Sequence, residues 1–147
     1  MVSEAQVSRE VGEIIREGPS KTFAFPNTVV TVDQDAFKDG HTISVRLNEG
    51  LKILKYHCFC NSKIRRLVLP SSVESIGGEA FCECERLEHA DLSAARGLKV
   101  IGCKTFTSCK ALKHVLLNDG LETIGEECFN ESGLEEVTIP GNVRNIG

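Results

Sequence analysis

At 147 residues, the chain is long enough for one domain with its own hydrophobic core. Its hydrophobic content of 41% and charged content of 26% are typical of a folded, water-soluble protein, and its net charge of −4 argues against nucleic acid as the main partner. No apolar run approaches the roughly 18 residues of a membrane helix, so we expect no membrane insertion.

The first residues bear on the compartment of the protein. They include Glu4, Arg9, Glu10 and Glu13 and lack the apolar stretch of a signal peptide. This slightly favours a cytoplasmic location, but a piece of a longer protein would show the same feature.

Residues 1–19 are predicted to form an amphipathic helical cap. Their aliphatic side chains recur with the spacing of one helix face. Ser3 with Gln6 resembles a capping box at the start of the helix, and Gly18-Pro19 is expected to end it. Such a helix would cover the open apolar end of a repeat array. A dimerisation helix is the alternative interpretation.

Residues 20–147 consist of a repeat with a Phe at its centre. Successive units lie 22 to 25 residues apart, and the central residues are Phe37, Phe59, Phe81, Phe106 and Phe129. A period in this range predicts a solenoid, because one unit cannot bury its apolar side chains without its neighbours. We count about six units, the last of them incomplete, and expect the five rings to form a continuous internal column.

Each unit is predicted to contain a short strand, two further aliphatic positions and a turn before the Phe. The strand segments 64–69, 87–92, 112–117 and 134–139 end with apolar side chains on alternate positions, as one buried face requires. A glycine follows the last aliphatic residue in four units, where we expect a corner with positive φ: Gly77, Gly102, Gly125 and Gly147.

The run from Val73 to Leu87 matches the corresponding part of the pattern LxxIxLPxxVxxIGxxAFxxCxxL. The repeat therefore resembles the leucine-rich repeats of the BspA-like (Treponema pallidum-type) family. The resemblance implies an α/β repeat solenoid, a right-handed coil with a parallel β-sheet on its concave side and short strands or helical turns on its convex side. It also implies a surface or interaction protein, since members of the family are commonly of that kind in bacteria and protists.

Six of the seven cysteines fall into the register of the repeat. Cys58, Cys84, Cys109 and Cys128 occupy slots that hold small residues in other units, so we expect them to be buried. Cys60 and Cys82 both follow the Phe on adjacent coils and are expected near the surface, with two inert free thiols as the plain interpretation. The sharper hypothesis is a disulfide between them under oxidising conditions, because neighbouring coils bring equivalent residues close enough for one.

Catalytic and metal chemistry is not expected. The pairs Cys58-x-Cys60 and Cys82-x-Cys84 lie in different registers, which spoils a tetrahedral metal site. His57 beside Cys58 has the residue types of a thiol protease, but Cys58 is in a buried slot and no oxyanion-hole element is evident. We therefore predict that the protein is not an enzyme and needs neither a cofactor nor a metal.

The candidate binding residues are the outward side chains of the predicted concave strands. Through them we expect the protein to bind another protein, whose identity the sequence does not reveal. They are Arg65, Arg66, Val68, Glu88, His89, Asp91, Lys113, His114, Leu116, Glu135, Glu136 and Thr138. His89 and His114 are predicted to be neighbours, either as a pH-sensitive or metal-binding pair or as two solvated side chains.

Charge is distributed unevenly along the repeats. Residues 38–66 are mainly basic, whereas residues 119–136 carry acidic groups without a base. A solvated surface is the plain interpretation of this charge distribution. The sharper interpretation is a polarity that orients a partner, or head-to-tail self-association. For the function, the alternative to partner binding is an adhesion or structural module of a larger surface or multi-subunit assembly.

Overall fold

The computed structural model describes residues 6–7 and 22–147. Within these residues the chain coils into a parallel β solenoid that has twelve strands and no α-helix. In chain order the strands are β1 (Gln6–Val7), β2 (Thr22–Ala24), β3 (Thr31–Val32), β4 (Ser44–Arg46), β5 (Ile53–Leu54), β6 (Arg66–Val68), β7 (Ser75–Ile76), β8 (His89–Asp91), β9 (Val100–Ile101), β10 (His114–Leu116), β11 (Thr123–Ile124) and β12 (Asn145–Ile146).

Two walls of the solenoid are built from these strands. One is a seven-stranded sheet in the order β1-β3-β5-β7-β9-β11-β12. The other consists of the β2-β4 pair and the three-stranded sheet β10-β8-β6. Every pairing is parallel, as expected when each strand is followed by its equivalent one coil later.

The Phe column is confirmed and forms the centre of the core. The rings of Phe37 and Phe59 are stacked with centroids 4.8 Å apart, and the stacking continues through Phe81, Phe106 and Phe129 at 5.4 to 5.7 Å. The first four rings are fully buried. Phe23 and Phe25 extend the aromatic cluster at the N-terminal end of the column.

Left-handed backbone conformations surround each of these rings. The residue two before and the residue two after every central Phe have φ between 52° and 59°, namely Asp35, Asp39, His57, Asn61, Glu79, Glu83, Lys104, Ser108, Glu127 and Glu131. The N–H of a central Phe donates a hydrogen bond to a backbone carbonyl of the next coil, for example from Phe37 to Cys58 at 2.7 Å. A positive φ every fourth residue is incompatible with a helix. The segments around the central Phe residues therefore form a third wall that is a stack of turns, here called the turn wall.

The α/β description is therefore wrong for the residues described, because turns with positive φ replace the helical turns expected on the convex side. The predicted N-terminal helix falls mostly outside the described residues. Gln6 and Val7, which lie inside the predicted helix, form strand β1 and pair with Thr31 and Val32.

The expectation that the repeat glycines adopt a positive φ is also wrong. Only Gly50 is described with a positive φ among the glycines. At Gly102, a Cβ would lie 2.7 Å from the Gly78 nitrogen, and at Gly125 it would lie 2.6 Å from the Cys103 nitrogen. Glycine is required there because the backbones of adjacent coils approach too closely for any side chain.

No helix long and apolar enough to cross a membrane occurs among residues 6–7 and 22–147.

Candidate functional site

The outward side chains of β4, β6, β8 and β10 form one continuous surface, here called the strand face. Its inner side is apolar, because Leu67, Ala90 and Val115 occupy equivalent buried positions on successive strands. The residues on either side of these three point away from the core. The alternation predicted from the sequence therefore produces a surface with fixed spacing between side chains.

The strand register arranges the outward side chains in rows. Arg66, His89 and His114 are Cα partners in one row, and Val68, Asp91 and Leu116 are Cα partners in a second row. The predicted neighbours His89 and His114 are confirmed, with ring centroids 4.8 Å apart and planes 10° from parallel.

A third row precedes the strands and alternates in charge. Glu88 N–H donates to the Arg65 carbonyl at 2.9 Å, and Lys113 N–H donates to the Glu88 carbonyl at 3.0 Å. The three exposed side chains therefore lie on neighbouring coils in the order positive, negative, positive.

Two large apolar side chains of the strand face are open to solvent. Val68 is 49% exposed and Leu116 is 56% exposed, and Asp91 lies between them in the same row. The Asp91 carboxylate is held in place by Ser93, whose N–H and hydroxyl both donate to Oδ1, at 3.0 and 2.6 Å. Apolar groups flanked by charged ones are the usual composition of a protein interface.

The last predicted part of this surface departs from the rest. Segment 134–139 does not form the strand expected of it, and among the described residues Glu135, Glu136 and Thr138 are not paired with β10. A cleft of about 730 Å³ separates them from Lys113, His114 and Leu116. The structure therefore aligns nine of the twelve candidate residues and places the other three across this cleft.

Two residues of the strand face were missed by the sequence reasoning. Ser44 and Arg46 are exposed on β4 and lie one coil before β6, where Arg65 N–H donates to the Ile43 carbonyl at 3.1 Å. The signal was present, because segment 42–47 aligns with segment 64–69 position by position.

The four small-slot cysteines are buried as predicted. Burial raises the pKa of the Cys84 thiol to about 11 and that of Cys128 to about 12, and it also raises the pKa of Cys58 and Cys109. A buried thiol with a raised pKa is a poor nucleophile, which removes the structural basis for a protease role of Cys58.

A second cysteine group lies on the turn wall. Cys60 and Cys82 have Cα atoms 4.7 Å apart, and their sulfurs are adjacent. They are only 4% and 2% exposed, so the expectation that they lie near the surface is wrong. His57 joins them, with its Nε2 2.9 Å from Glu79 Oε2 and its Nδ1 3.5 Å from Asp35 Oδ1. Their pairing under oxidising conditions stays a prediction.

Acidic groups near the C-terminal end have basic neighbours one coil earlier. Glu122 lies 3.5 Å from Lys99, and Glu127 lies 3.5 Å from Lys104. The His57 contact lowers the pKa of the Glu79 carboxyl, and the Lys110 contact does the same for Glu85. Contacts of this kind between coils are part of the solenoid and reduce the charge contrast along it.

Comparison with known proteins places the chain among repeat proteins. Residues 17–95 and 90–147 match the family described as "BspA type Leucine rich repeat region", with six copies. The structure resembles a leucine-rich repeat protein from Eubacterium ventriosum, with 21% identity and a TM-score of 0.65 over 89% of this chain and 42% of that one.

Two further solved structures have the same fold. The leucine rich repeat protein of T. pallidum has 23% identity and a TM-score of 0.53, covering 76% of this chain and 63% of that one. A leucine rich cell surface protein from Faecalibacterium prausnitzii has 20% identity and a TM-score of 0.54, covering 88% and 44%. This chain therefore spans less than two thirds of each of these three proteins. A search of curated proteins found no match.

Proposed function

Because this chain belongs to the family of BspA-type leucine-rich repeat regions, we propose that it binds another protein through the strand face. The family consists generally of protein-interaction or surface modules and is typically non-catalytic. The resemblance drawn from the repeat is thereby confirmed, whereas the partner and the contact surface belong to the proposal.

The arrangement of the strand face is the observation that carries this proposal. Its rows of side chains stand on hydrogen-bonded strands, so little backbone entropy remains to be lost on binding. Val68 and Leu116 provide exposed apolar area, while Arg66 and the stacked His89 and His114 provide hydrogen-bond donors beside it. Apolar area with polar groups around it is the general anatomy of a protein interface, and Arg is enriched at such interfaces.

The cleft beside β10 supports a partner with a protruding segment. The cleft exposes one edge of β10 and lies next to the apolar side chain of Leu116. Open strand edges bind extended segments through main-chain hydrogen bonds. Acidic groups on the far side, Glu135 and Glu136, favour a segment that carries basic residues.

Charge reversal on the strand face tests the proposal. In a pull-down with the purified chain as bait, we expect Arg65→Glu/Arg66→Glu to lose partners that the parent captures. The matched control is Arg96→Glu/Arg144→Glu, which makes the same change in charge at two exposed positions outside the strand face. Equal capture by both variants and the parent would show that the strand face is not the contact, and equal loss in both would indicate non-specific electrostatic binding.

A structural role in a larger assembly is the second candidate. The F. prausnitzii relative is a cell surface protein, and this chain covers 44% of its length. The same solenoid could then serve as a section of a longer adhesion module, and head-to-tail association of copies is one form that such an assembly could take. Light scattering of the chain over a concentration series tests self-association, and a constant monomer mass would exclude it.

A further inference from the structure

We propose that His57, Cys60 and Cys82, when the cysteines are reduced, bind a thiolate-seeking divalent metal ion such as Zn²⁺. One donor atom of each residue can be chosen so that all three lie within 4.8 Å of one another. Cysteine sulfur and histidine nitrogen are the donors that zinc prefers. The site lies on the turn wall and is separate from the strand face.

The distances suit a metal after a small movement. Zinc bonds of about 2.3 Å to sulfur and about 2.0 Å to nitrogen, in tetrahedral geometry, hold the donors roughly 3.5–3.8 Å apart. The histidine nitrogen has to approach the sulfurs by about 1 Å, since the three donors lie within 4.8 Å of one another. The two sulfurs are adjacent in the structure and have to separate to roughly 3.8 Å once they are reduced, a movement that side-chain rotation provides.

The surroundings of His57 resemble the outer shell of a metal site. A metal-bound histidine normally donates its second ring N–H to a carboxylate, which fixes the ring and raises its basicity. Here both ring nitrogens face carboxylates, with Asp35 Oδ1 at 3.5 Å and Glu79 Oε2 at 2.9 Å. Whichever nitrogen binds the metal, the other retains a carboxylate neighbour.

The Asp35 oxygen that faces His57 lacks a hydrogen bond from any residue that the structure describes. This atom, Oδ1, is buried. An unsatisfied buried carboxylate oxygen is costly unless a cation or a strong donor completes its environment. A metal-bound imidazole with its N–H directed at this oxygen, or a cation nearby, would complete it.

The turns of two adjacent coils hold the three donors in place. His57 has φ of 55° and lies in the same turn as Cys60, whose N–H donates to the His57 carbonyl at 3.1 Å. Cys82 lies in the equivalent turn of the next coil, where its N–H donates to the Glu79 carbonyl at 3.2 Å. Cys60 and Cys82 are almost completely buried, whereas His57 is partly exposed, so its side of the site offers a route of entry and room for a water as the fourth ligand.

Oxidation is expected to abolish the site. A small-molecule disulfide such as oxidised glutathione accepts two electrons from the two thiolates, so its S–S bond breaks, two glutathione thiolates leave, and the Cys60–Cys82 bond forms. With both sulfurs in that bond, His57 alone cannot retain the metal. The predicted disulfide and the metal site are therefore alternative states of the same three side chains.

Cobalt binding tests this proposal on the full chain, prepared metal-free and fully reduced. We expect one equivalent of Co²⁺ to produce a near-ultraviolet thiolate charge-transfer band and tetrahedral visible bands, both lost when Zn²⁺ is added. Protein treated with oxidised glutathione should produce neither. Absence of binding by the reduced, folded chain would overturn the proposal.

Matched variants locate the ion. Cys82→Ser and His57→Asn, where Asn tolerates the left-handed backbone, should lose the cobalt spectrum while circular dichroism shows an unchanged fold. Asp35→Asn should weaken binding about 10- to 100-fold. Cys103→Ser, which removes an exposed cysteine, and Cys84→Ser, which removes a buried one, should bind as the parent does. Loss of the spectrum in Cys103→Ser, or its retention in Cys82→Ser and His57→Asn, would contradict the assignment.

Discussion

The rings of Phe59 and Phe81 stack with centroids 5.4 Å apart and planes only 5° from parallel. Both side chains are fully buried in the column that joins adjacent coils. Because each ring packs against the rings before and after it, the column connects the coils into one cooperative core.

Removing a central ring should be far more costly than removing the last one. We expect Phe81→Ala to lower the free energy of unfolding by about 3–5 kcal/mol, because it leaves a large cavity between two coils. Phe129→Ala should cost clearly less, since Phe129 is only partly buried. Urea denaturation of both variants measures the difference, and equal losses would mean that the column is not the principal core.

Because the backbones of adjacent coils approach closely at some glycines and not at others, we expect alanine substitutions at two glycines to change stability by very different amounts. Gly102→Ala places a Cβ 2.7 Å from the Gly78 nitrogen, so the coils must separate, and we expect a loss of about 1–3 kcal/mol. Gly141→Ala meets no atom within 4 Å and should change stability by less than about 0.5 kcal/mol. Thermal unfolding of the two variants under the same buffer conditions is the measurement, and similar midpoints would refute the packing argument.

The left-handed residues beside each Phe predict a stabilising substitution. Glu83 has φ of 55°, which costs a non-glycine residue about 1–2 kcal/mol, whereas glycine loses about 0.5–1 kcal/mol in chain entropy. We therefore expect Glu83→Gly to raise stability by about 0.5–1 kcal/mol. Glu88→Gly, at a position without positive φ, should lower it by a similar amount. Chemical denaturation that finds both variants destabilised would speak against the backbone assignment.

Buried thiols predict a loss of stability in alkaline solution. The folded pKa of Cys84 is raised to about 11 from an ordinary value of 9.0, so the folded state keeps its proton after the unfolded state has lost it. The contribution of the protonated Cys84 thiol to the free energy of unfolding is therefore fully present below pH 9 and is lost as the pH rises from 9 to 11. The full loss amounts to about 3 kcal/mol, since the pKa differs by two units between the folded and unfolded states and each unit corresponds to about 1.4 kcal/mol.

Substituting this thiol isolates its share of the pH dependence. Cys84→Ser retains a small side chain that can donate to the Phe59 carbonyl, as the Cys84 thiol does at 3.1 Å, but does not ionise. Its stability should fall less steeply than that of the parent between pH 9 and 11. Parallel curves for the two proteins would show that the Cys84 thiol does not contribute.

The predicted disulfide can be counted directly. After air oxidation and denaturation, the chain should present five reactive thiols, because two of its seven cysteines are paired. Prior reduction should restore all seven. Cys60→Ala should present six thiols with or without reductant. Seven thiols in the oxidised parent would exclude the pairing.

The sequence was sufficient to predict the repeat and most of its core. Burial in a ladder requires the same kind of side chain at the same position of every coil, so periodicity reveals both the fold and the inward residues. For the same reason, the outward residues from Arg65 to Leu116 could be assigned to one surface and His89 placed beside His114. Ser44 and Arg46 were accessible by the same reasoning.

The sequence did not predict features that depend on the distance between coils. The glycines at 102 and 125 reflect backbone approach instead of local φ, and the left-handed positions are occupied by Asp, Glu, Lys, His, Asn and Ser, which give no shared signal. Segment 134–139 has the residues of a strand, yet in the structure it lies across a cleft from β10.

By itself, therefore, the sequence determined which side chains face the core, because hydrophobic burial repeats with the coil. Only the tertiary structure decided which side chains from different coils meet, because those contacts depend on how closely the backbones stack. His57 lies near Cys60 in the sequence, but its contacts with Asp35, Glu79 and Cys82 exist only once three coils are in place.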